Sequence, residues 1–200
     1  MAKLKEVKLV TKAVDFNGCL ASFHDGYKVY PDLTKKLDAL EGKFSAQTIN
    51  EIVLWKVSRY VKLPEDVLNG LDDVRNLKPG EHEQASGLII ALQNQKGVQI
   101  AMASTFLRFA NPMVFQILDN HAFRALYGVK LSTCLKTTKT VEAKTTLYLK
   151  YLDDLRLMCQ AKDIRFHNAD RILFEFDKQV NPPLKNDDLE QASVLNNPEF

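Results

Sequence analysis

Apolar residues recur at intervals of three and four along most of this chain, and this helical period limits the possible folds more than any other feature of the sequence. Proline and glycine interrupt the pattern, so that each periodic stretch has the length of one ordinary helix. Strand-type alternation is confined to residues 5–10. The sequence therefore predicts an all-α fold of about eight helices, over residues 32–40, 46–63, 64–77, 82–95, 98–110, 120–127, 140–161 and 169–180.

Two of these helices have a specific expected position in the core. Leu54 and Trp55 widen the apolar face of the helix that follows Ser45, its N-cap residue, so we expect this helix to be buried. The helix over residues 140–161 is expected to face inward with a single stripe, formed by Val141, Thr145, Leu149, Leu152, Leu155 and Met158.

Composition fits one compact domain spanning residues 1–200, or two small lobes that share a core. The hydrophobic fraction of 46% is enough for such a core, and the formal net charge of +2 neither requires nor excludes a polyanionic partner. Cys19, Cys134 and Cys159 are widely separated, which indicates free thiols in a reducing compartment. No apolar run approaches the roughly 18 residues that cross a bilayer, so we expect a soluble, cytoplasmic protein.

No motif for a metal or a cofactor is found. The four histidines lack metal-ligand spacing, and the chain has no phosphate-binding glycine loop, no dinucleotide fingerprint and no serine-hydrolase elbow. We therefore expect neither a metal nor a cofactor.

A helix, a tight turn and a second helix are predicted over residues 84–110, with the turn at Lys96-Gly97-Val98. The first N–H groups of the second helix would point outward, and the helix dipole would favour an anion such as a DNA phosphate there. Lys96 and Arg108 would add positive charge. The alternative interpretation is an ordinary corner between two helices, closed by a glycine.

The second helix leads to an aspartate at the end of an apolar segment. Asn111-Pro112 breaks the helix, and residues 114–118 are expected to be extended or irregular. Asp119 then stands where it can cap the short helix over residues 120–127. Taken alone, this pattern favours a capping role.

The spacing of residues 97–124 resembles the core of the helix-hairpin-helix (HhH-GPD) DNA glycosylase superfamily, which includes endonuclease III and the adenine, alkyladenine and 8-oxoguanine glycosylases. The family pattern is a hairpin of the type L-P-G-V-G, a small-residue helix, a proline or glycine break, and an apolar stretch that ends in the catalytic aspartate of D-T-H-x-x-R. Without gaps, the matching residues are Gly97-Val98, Ala103, Pro112, Asp119, His121 and Arg124.

The resemblance implies two packed helical lobes with a cleft between them, and Asp119 as the catalytic carboxylate at the rim of that cleft. It implies that His121 and Arg124 orient Asp119 or contact phosphate; packing and a surface contact along the short helix are an equal alternative. The implied contacts to the DNA backbone are Lys96, Gly97, Val98, Gln99 and Arg108.

The departures from the family pattern narrow the implied chemistry. Lyase members use a lysine as an amine nucleophile, and Ala101 stands at that position. Gln99 and Lys96 replace the second glycine and the proline of the hairpin, and no cysteine cluster for an iron–sulfur centre is present. The implied activity is that of a monofunctional DNA N-glycosylase, a monomer acting on a flipped modified base in double-stranded DNA.

Two alternatives stay open. One is a DNA-binding protein that retains the glycosylase scaffold without catalysis. The other is a helical adaptor that binds another protein.

Overall fold

The structure is a computed structural model that describes residues 30–40, 44–57 and 60–184. These described residues form helices, turns and loops without any strand, which confirms the predicted all-α class. The chain divides into two compact units between Tyr60 and Val61. The alternating stretch at residues 5–10 lies outside the described residues, and so does the polar tail at residues 185–200, for which the sequence composition predicts poor order.

The first unit contains α1 (Pro31–Asp38) and α2 (Ala46–Lys56). Ser45 caps α2 as predicted, because its hydroxyl accepts a hydrogen bond from the backbone N–H of Thr48 at 3.0 Å. The indole of Trp55 donates to the hydroxyl of Thr34 at 2.9 Å and so links the two helices.

The expectation that α2 lies in the core is wrong. None of its side chains is buried, and Ile49 and Val53 are about half exposed, at 49% and 53%. The described part of this unit offers α2 only the eight-residue α1 as a neighbour, and a helix of that length covers one face. The helix also ends at Lys56, earlier than the predicted limit at Pro64.

The second unit contains the main core. Its central element is α8, whose buried face differs in part from the predicted stripe. Thr145, Leu152 and Leu155 are buried as predicted, and the fully buried Tyr148 and Tyr151 lie beside them. The other three residues of the stripe are only partly buried: Val141, Leu149 and Met158. Short 3-10 turns precede or follow the helices at Val74–Asn76, His82–Ala85 and Phe166–Asn168. The helices are α3 (Glu65–Asp73), α4 (Ser86–Gln93), α5 (Ile100–Ala110), α6 (Asn120–Tyr127), α7 (Leu131–Thr137), α8 (Val141–Ala161) and α9 (Ala169–Val180).

The segment between α5 and α6, residues 111–119, has no helical structure, and most of it is nonetheless buried, although Met113 is exposed. Val114, Phe115, Gln116 and Leu118 are all 0% exposed. The predicted break and irregular apolar segment are therefore confirmed. Loops usually run over the surface, because a buried loop must find partners for every backbone N–H and C=O group.

Side chains of the surrounding helices supply those partners. The hydroxyl of Ser104 accepts a hydrogen bond from the N–H of Leu118 at 2.9 Å. The Tyr148 and Tyr151 hydroxyls donate to the carbonyls of Gln116 and Ile117, at 2.9 and 3.1 Å. The buried backbone of this segment thus depends on hydroxyl groups from α5 and α8.

Asn111 fastens the beginning of the segment to the turn that follows α3. Its side-chain amide donates to the carbonyls of Val74 and Leu77 at 2.9 and 3.0 Å, and its oxygen accepts from the N–H of Met113 at 3.2 Å. One side chain therefore joins two non-helical pieces of backbone.

We predict that Asn111→Ala lowers the free energy of unfolding by about 1–3 kcal/mol, because it leaves buried carbonyl groups without a donor. Urea denaturation followed by circular dichroism measures this loss. The matched control is Asn94→Ala, at an exposed position after α4, where we expect a change within about 0.5 kcal/mol. Equal losses in the two variants would contradict the assignment.

Candidate functional site

The predicted hairpin region contains α4, a turn and α5. Gly97 has a φ of +82°, a left-handed conformation that glycine adopts without strain. Lys96, Gly97 and Gln99 are exposed, whereas the side chain of Val98 is buried at 3% exposure. Gln99 precedes α5 without a side-chain capping bond, so the first N–H groups of α5 are not capped in the way that those of α2 and α6 are.

Arg108 lies in the last turn of α5 and is buried, with 8% of its surface exposed. Its guanidinium donates to the carbonyl of His167 at 3.2 Å, and its Nε lies 3.5 Å from Oδ2 of Asp170. The predicted contact between Arg108 and DNA stays a prediction. Within the fold, the positive charge of Arg108 lies beside the buried carboxylate of Asp170.

Asp119 caps α6, as one of the two interpretations of the sequence requires. Its Oδ1 accepts hydrogen bonds from the backbone N–H groups of His121 and Ala122, at 2.7 and 2.9 Å. Both bonds use the same oxygen, which leaves Oδ2 outside the cap. A capping role therefore does not use the whole carboxylate.

His121 and Arg124 meet on a third carboxylate, Asp177 of α9. His121 Nδ1 lies 2.6 Å from Oδ2 of Asp177, and Arg124 binds the same carboxylate through two parallel hydrogen bonds of 2.8 and 2.7 Å. The side-chain amide of Asn181 adds a bond of 2.7 Å to Oδ1. The backbone of His121 donates to Asp119, whereas its side chain and that of Arg124 bind Asp177 and so attach α6 to α9.

Asp177 remains ionised in this environment although it is 0% exposed. Burial raises its pKa, but the hydrogen bonds from Arg124, Asn181 and His121 together outweigh burial and lower the pKa to about 2. Sequence reasoning missed this residue. Asp177 lies far along the chain from the D-x-H-x-x-R pattern, and an aspartate one turn from the end of a helix is usually an exposed surface charge.

A pocket of about 290 Å³ lies beside Asp119. α9 forms most of its wall, through Asp170, Arg171, Phe174 and Glu175. Burial raises the pKa of Asp119 above its ordinary value; the N–H groups of Ala122 and His121 oppose the rise, and the negative charge of Asp170 adds to it. Functional sites commonly contain a carboxyl group with a raised pKa at the wall of a pocket.

Asp170 is the second carboxylate of this pocket, and sequence reasoning missed it too. It is 2% exposed, and its Oδ2 accepts the N–H of Ile117 at 3.3 Å. Its own N–H donates to Oε1 of Gln116 at 3.2 Å. The sequence offered one signal, an acidic residue in the first turn of a helix, which is also typical of simple dipole stabilisation.

Two further features of the described residues bear on the site. No group of three or more histidine, cysteine or carboxylate side chains suited to a metal ion occurs among residues 30–40, 44–57 and 60–184. Within the same ranges, no helix is both long enough and apolar enough to cross a membrane.

Comparisons of the chain with protein-family models, with curated proteins and with solved structures returned no match. The relation to the helix-hairpin-helix DNA glycosylases therefore stays a prediction, based on the motif alone.

We predict that Asp177→Asn lowers the free energy of unfolding at pH 7 by ~2 kcal/mol, the equivalent of a pKa that folding lowers from 3.8 to about 2. A carboxylate with a lowered pKa stabilises the fold above its unfolded pKa, and this contribution is lost as the pH falls through the folded pKa. The difference between variant and wild type should therefore shrink from pH 7 toward pH 2, as thermal denaturation across this range would show.

Asp72→Asn is the control for this pH series, since the Asp72 side chain is 74% exposed beside Arg75. Its effect should stay within about 0.5 kcal/mol at every pH. A constant difference between wild type and Asp177→Asn at all pH values would contradict the charge network.

Proposed function

We propose that this protein is a monofunctional DNA N-glycosylase, a cytoplasmic monomer that removes a modified base from double-stranded DNA. The observation that carries the proposal is the placement of the Asp119 carboxylate at a pocket, on a segment whose backbone is fixed by buried hydrogen bonds. The size of the pocket is just below the ~300–1,000 Å³ typical of small-molecule sites, which suits one planar base.

The chemistry of base removal needs little more than such a carboxylate. The target base must first leave the helical stack, which costs a few kcal/mol and is easiest for a damaged or mispaired base. A negative charge beside the sugar then stabilises the developing cation as the base departs, and the same carboxylate orients a water molecule for attack at the sugar carbon. Phe174 offers an apolar surface to a base in the pocket.

The α4–α5 turn supports the DNA-binding half of the proposal. α5 begins without a side-chain cap, and the exposed Lys96 precedes it. Backbone N–H groups at a helix N-terminus bind phosphate without reading sequence, which is the contact an enzyme needs when it searches for one base among many.

The identity of residue 101, an alanine, indicates which type of reaction to expect. Ala101 stands in the first turn of α5, where lyase members of the resembling family carry their nucleophilic lysine. Without an amine there, we expect no Schiff base with the sugar and no strand cleavage by that route. The proposed product is an intact strand with an abasic site.

We predict that Asp119→Asn reduces base release by about 100-fold or more, in the range seen when a charge-stabilising group is removed from an active site. Asparagine caps a helix as well as aspartate does, so α6 keeps its cap. Burial raises the pKa of Asp119, which means that the charged form of its side chain destabilises the folded state. The variant lacks this charge and should therefore be at least as stable as wild type at pH 7.

Asp119→Ala separates the two roles, since it removes both charge and cap and should cost about 1 kcal/mol of stability. The assay uses duplexes that each carry one deaminated, oxidised or alkylated base, with alkali to reveal abasic sites. Equal base release by wild type and Asp119→Asn, or no release from any duplex, would reject the proposed activity. DNA binding without release would support the alternative of an inactive glycosylase scaffold.

A further inference from the structure

The turn between α7 and α8, with the helix ends beside it, concentrates the positive charge of the chain. Residues 129–144 contain four lysines and one acidic residue, Glu142, an excess of three positive charges. The whole chain has a net charge of +2, so its other residues together carry a net charge of −1. Lys136 and Lys139 are exposed and Lys144 is partly exposed. The excess therefore lies at the surface, in one short stretch.

These three lysines have no counter-charge within the described part of the chain. The basic side chains that pair with a carboxylate there lie elsewhere: Lys36, Arg75, Arg108, Arg124, Lys150 and Lys178. Positive charges that lie close together without a counter-charge repel each other, so this cluster does not stabilise the fold.

The positions of two of the lysines are also unfavourable for α8. The N-terminus of a helix attracts negative charge and repels positive charge, by about 0.3–1 kcal/mol per residue. Lys139 precedes the N-cap residue Thr140, and Lys144 ends the first turn of α8. Lys136, by contrast, lies in the last turn of α7, where positive charge is favourable. The stability of the helices thus accounts for Lys136, whereas Lys139 and Lys144 have no such reason for their positions.

A hydrogen bond connects the α4–α5 turn to the same end of α8. The side chain of Gln93, the last residue of α4, donates to the hydroxyl of Thr145 in α8 at 2.9 Å. Lys144 is the residue before Thr145, and the exposed Lys96 follows Gln93 by three residues, a length of chain that spans at most about 11 Å. Lys96 and the uncapped N-terminus of α5 therefore neighbour the N-terminal end of α8.

We propose that Lys96, Lys136, Lys139 and Lys144 form one basic surface that binds the phosphate backbone of a DNA duplex. A duplex carries one negative charge per about 1.7 Å of its axis, so a surface that spans two neighbouring turns meets several phosphates. Such contacts position a protein on DNA without reading its sequence. The choice of DNA rests on the proposed function, whereas the charge and the position of the basic surface do not.

The residues between the lysines favour a chain of phosphates over a lipid bilayer. Proteins that lie on a bilayer insert aromatic or large aliphatic side chains beside their basic residues. Residues 136–144 expose no side chain of that kind. The exposed hydroxyl of Thr140 accepts the N–H of Ala143 at 3.1 Å, which leaves its own hydrogen for a phosphate oxygen.

The salt dependence of duplex binding tests the basic surface, with fluorescence anisotropy of a short unmodified duplex as the measurement. Lys139→Gln/Lys144→Gln removes two phosphate contacts, each of which contributes about 0.9 to the slope of log K against log salt. We expect the magnitude of the slope to fall by about 1.8, and the affinity at about 0.1 M salt to fall at least 10-fold. Because both lysines oppose the dipole of α8, the variant should be at least as stable as wild type.

Lys162→Gln/Arg165→Gln is the matched control, since it changes the net charge by the same amount at exposed positions. Lys162 lies at the other end of α8, roughly 27 Å along its axis from Lys144. The magnitude of the slope should change by less than about 0.5. An equal loss in the two double variants would overturn the proposal, because net charge alone would then explain binding. An unchanged slope in a folded Lys139→Gln/Lys144→Gln overturns it as well.

A second measurement uses the wild type and needs no variant to fold. The amines are acetylated with and without the duplex, and the modified peptides are quantified by mass spectrometry. The duplex should protect the four lysines of the basic surface and leave Lys162 as reactive as in the free protein. Equal reactivity of the four lysines with and without bound duplex contradicts the proposal.

Base release decides the proposed function separately. Duplex binding through the basic surface without base release rejects the glycosylase activity and supports the surface. Base release together with an unchanged slope in Lys139→Gln/Lys144→Gln rejects the surface and supports the activity. Absence of duplex binding by wild type at low salt rejects both. Binding to vesicles of an anionic phospholipid, without binding to duplex, rejects the DNA surface in favour of a lipid partner.

Discussion

The buried hydrogen bonds to residues 111–119 are the constraint on which the rest of the second unit depends. The backbone of residues 116–118 is not helical and lies among buried side chains, so its polar groups need side-chain partners, and Ser104, Tyr148 and Tyr151 provide them. The cost of leaving such groups unpaired fixes the segment to one arrangement against α5 and α8. Asp119 stands at its end, and its position follows from that arrangement.

Three aspartates near this segment have different contacts and different roles. Asp177 is charged and fully paired, and it attaches α6 to α9. Asp170 joins the buried segment to α9 and meets Arg108 of α5. Asp119 alone among the three combines a helix cap with a raised pKa and a place at the pocket. The neighbours of each aspartate therefore determine its role: Asp177 connects two helices, Asp170 holds the buried segment, and Asp119 is the candidate for chemistry.

Helix periods predicted much of the fold, because short-range patterns determine where helices start and stop. The caps at Ser45 and Asp119, the break after α5 and the left-handed Gly128 at the end of α6 all follow from local residue types. Such local patterns do not predict which side chains bind each other when they are far apart along the chain. The sequence pattern left open whether His121 and Arg124 orient Asp119, contact phosphate or only pack along the short helix, and it gave no sign that their side chains bind a carboxylate more than 50 residues away. The burial of Tyr148 and Tyr151 likewise depends on the carbonyl groups of a distant loop.

Amide hydrogen exchange of Ile117 and Leu118 tests most directly whether buried hydrogen bonds fix the segment that carries Asp119. Their N–H groups donate to Asp170 and Ser104, so we predict protection as strong as that of the amides in the middle of α8, with exchange only through global unfolding. Exchange as fast as that of the exposed turn at Lys96 would contradict the account, because it would show that residues 111–119 open independently of the core.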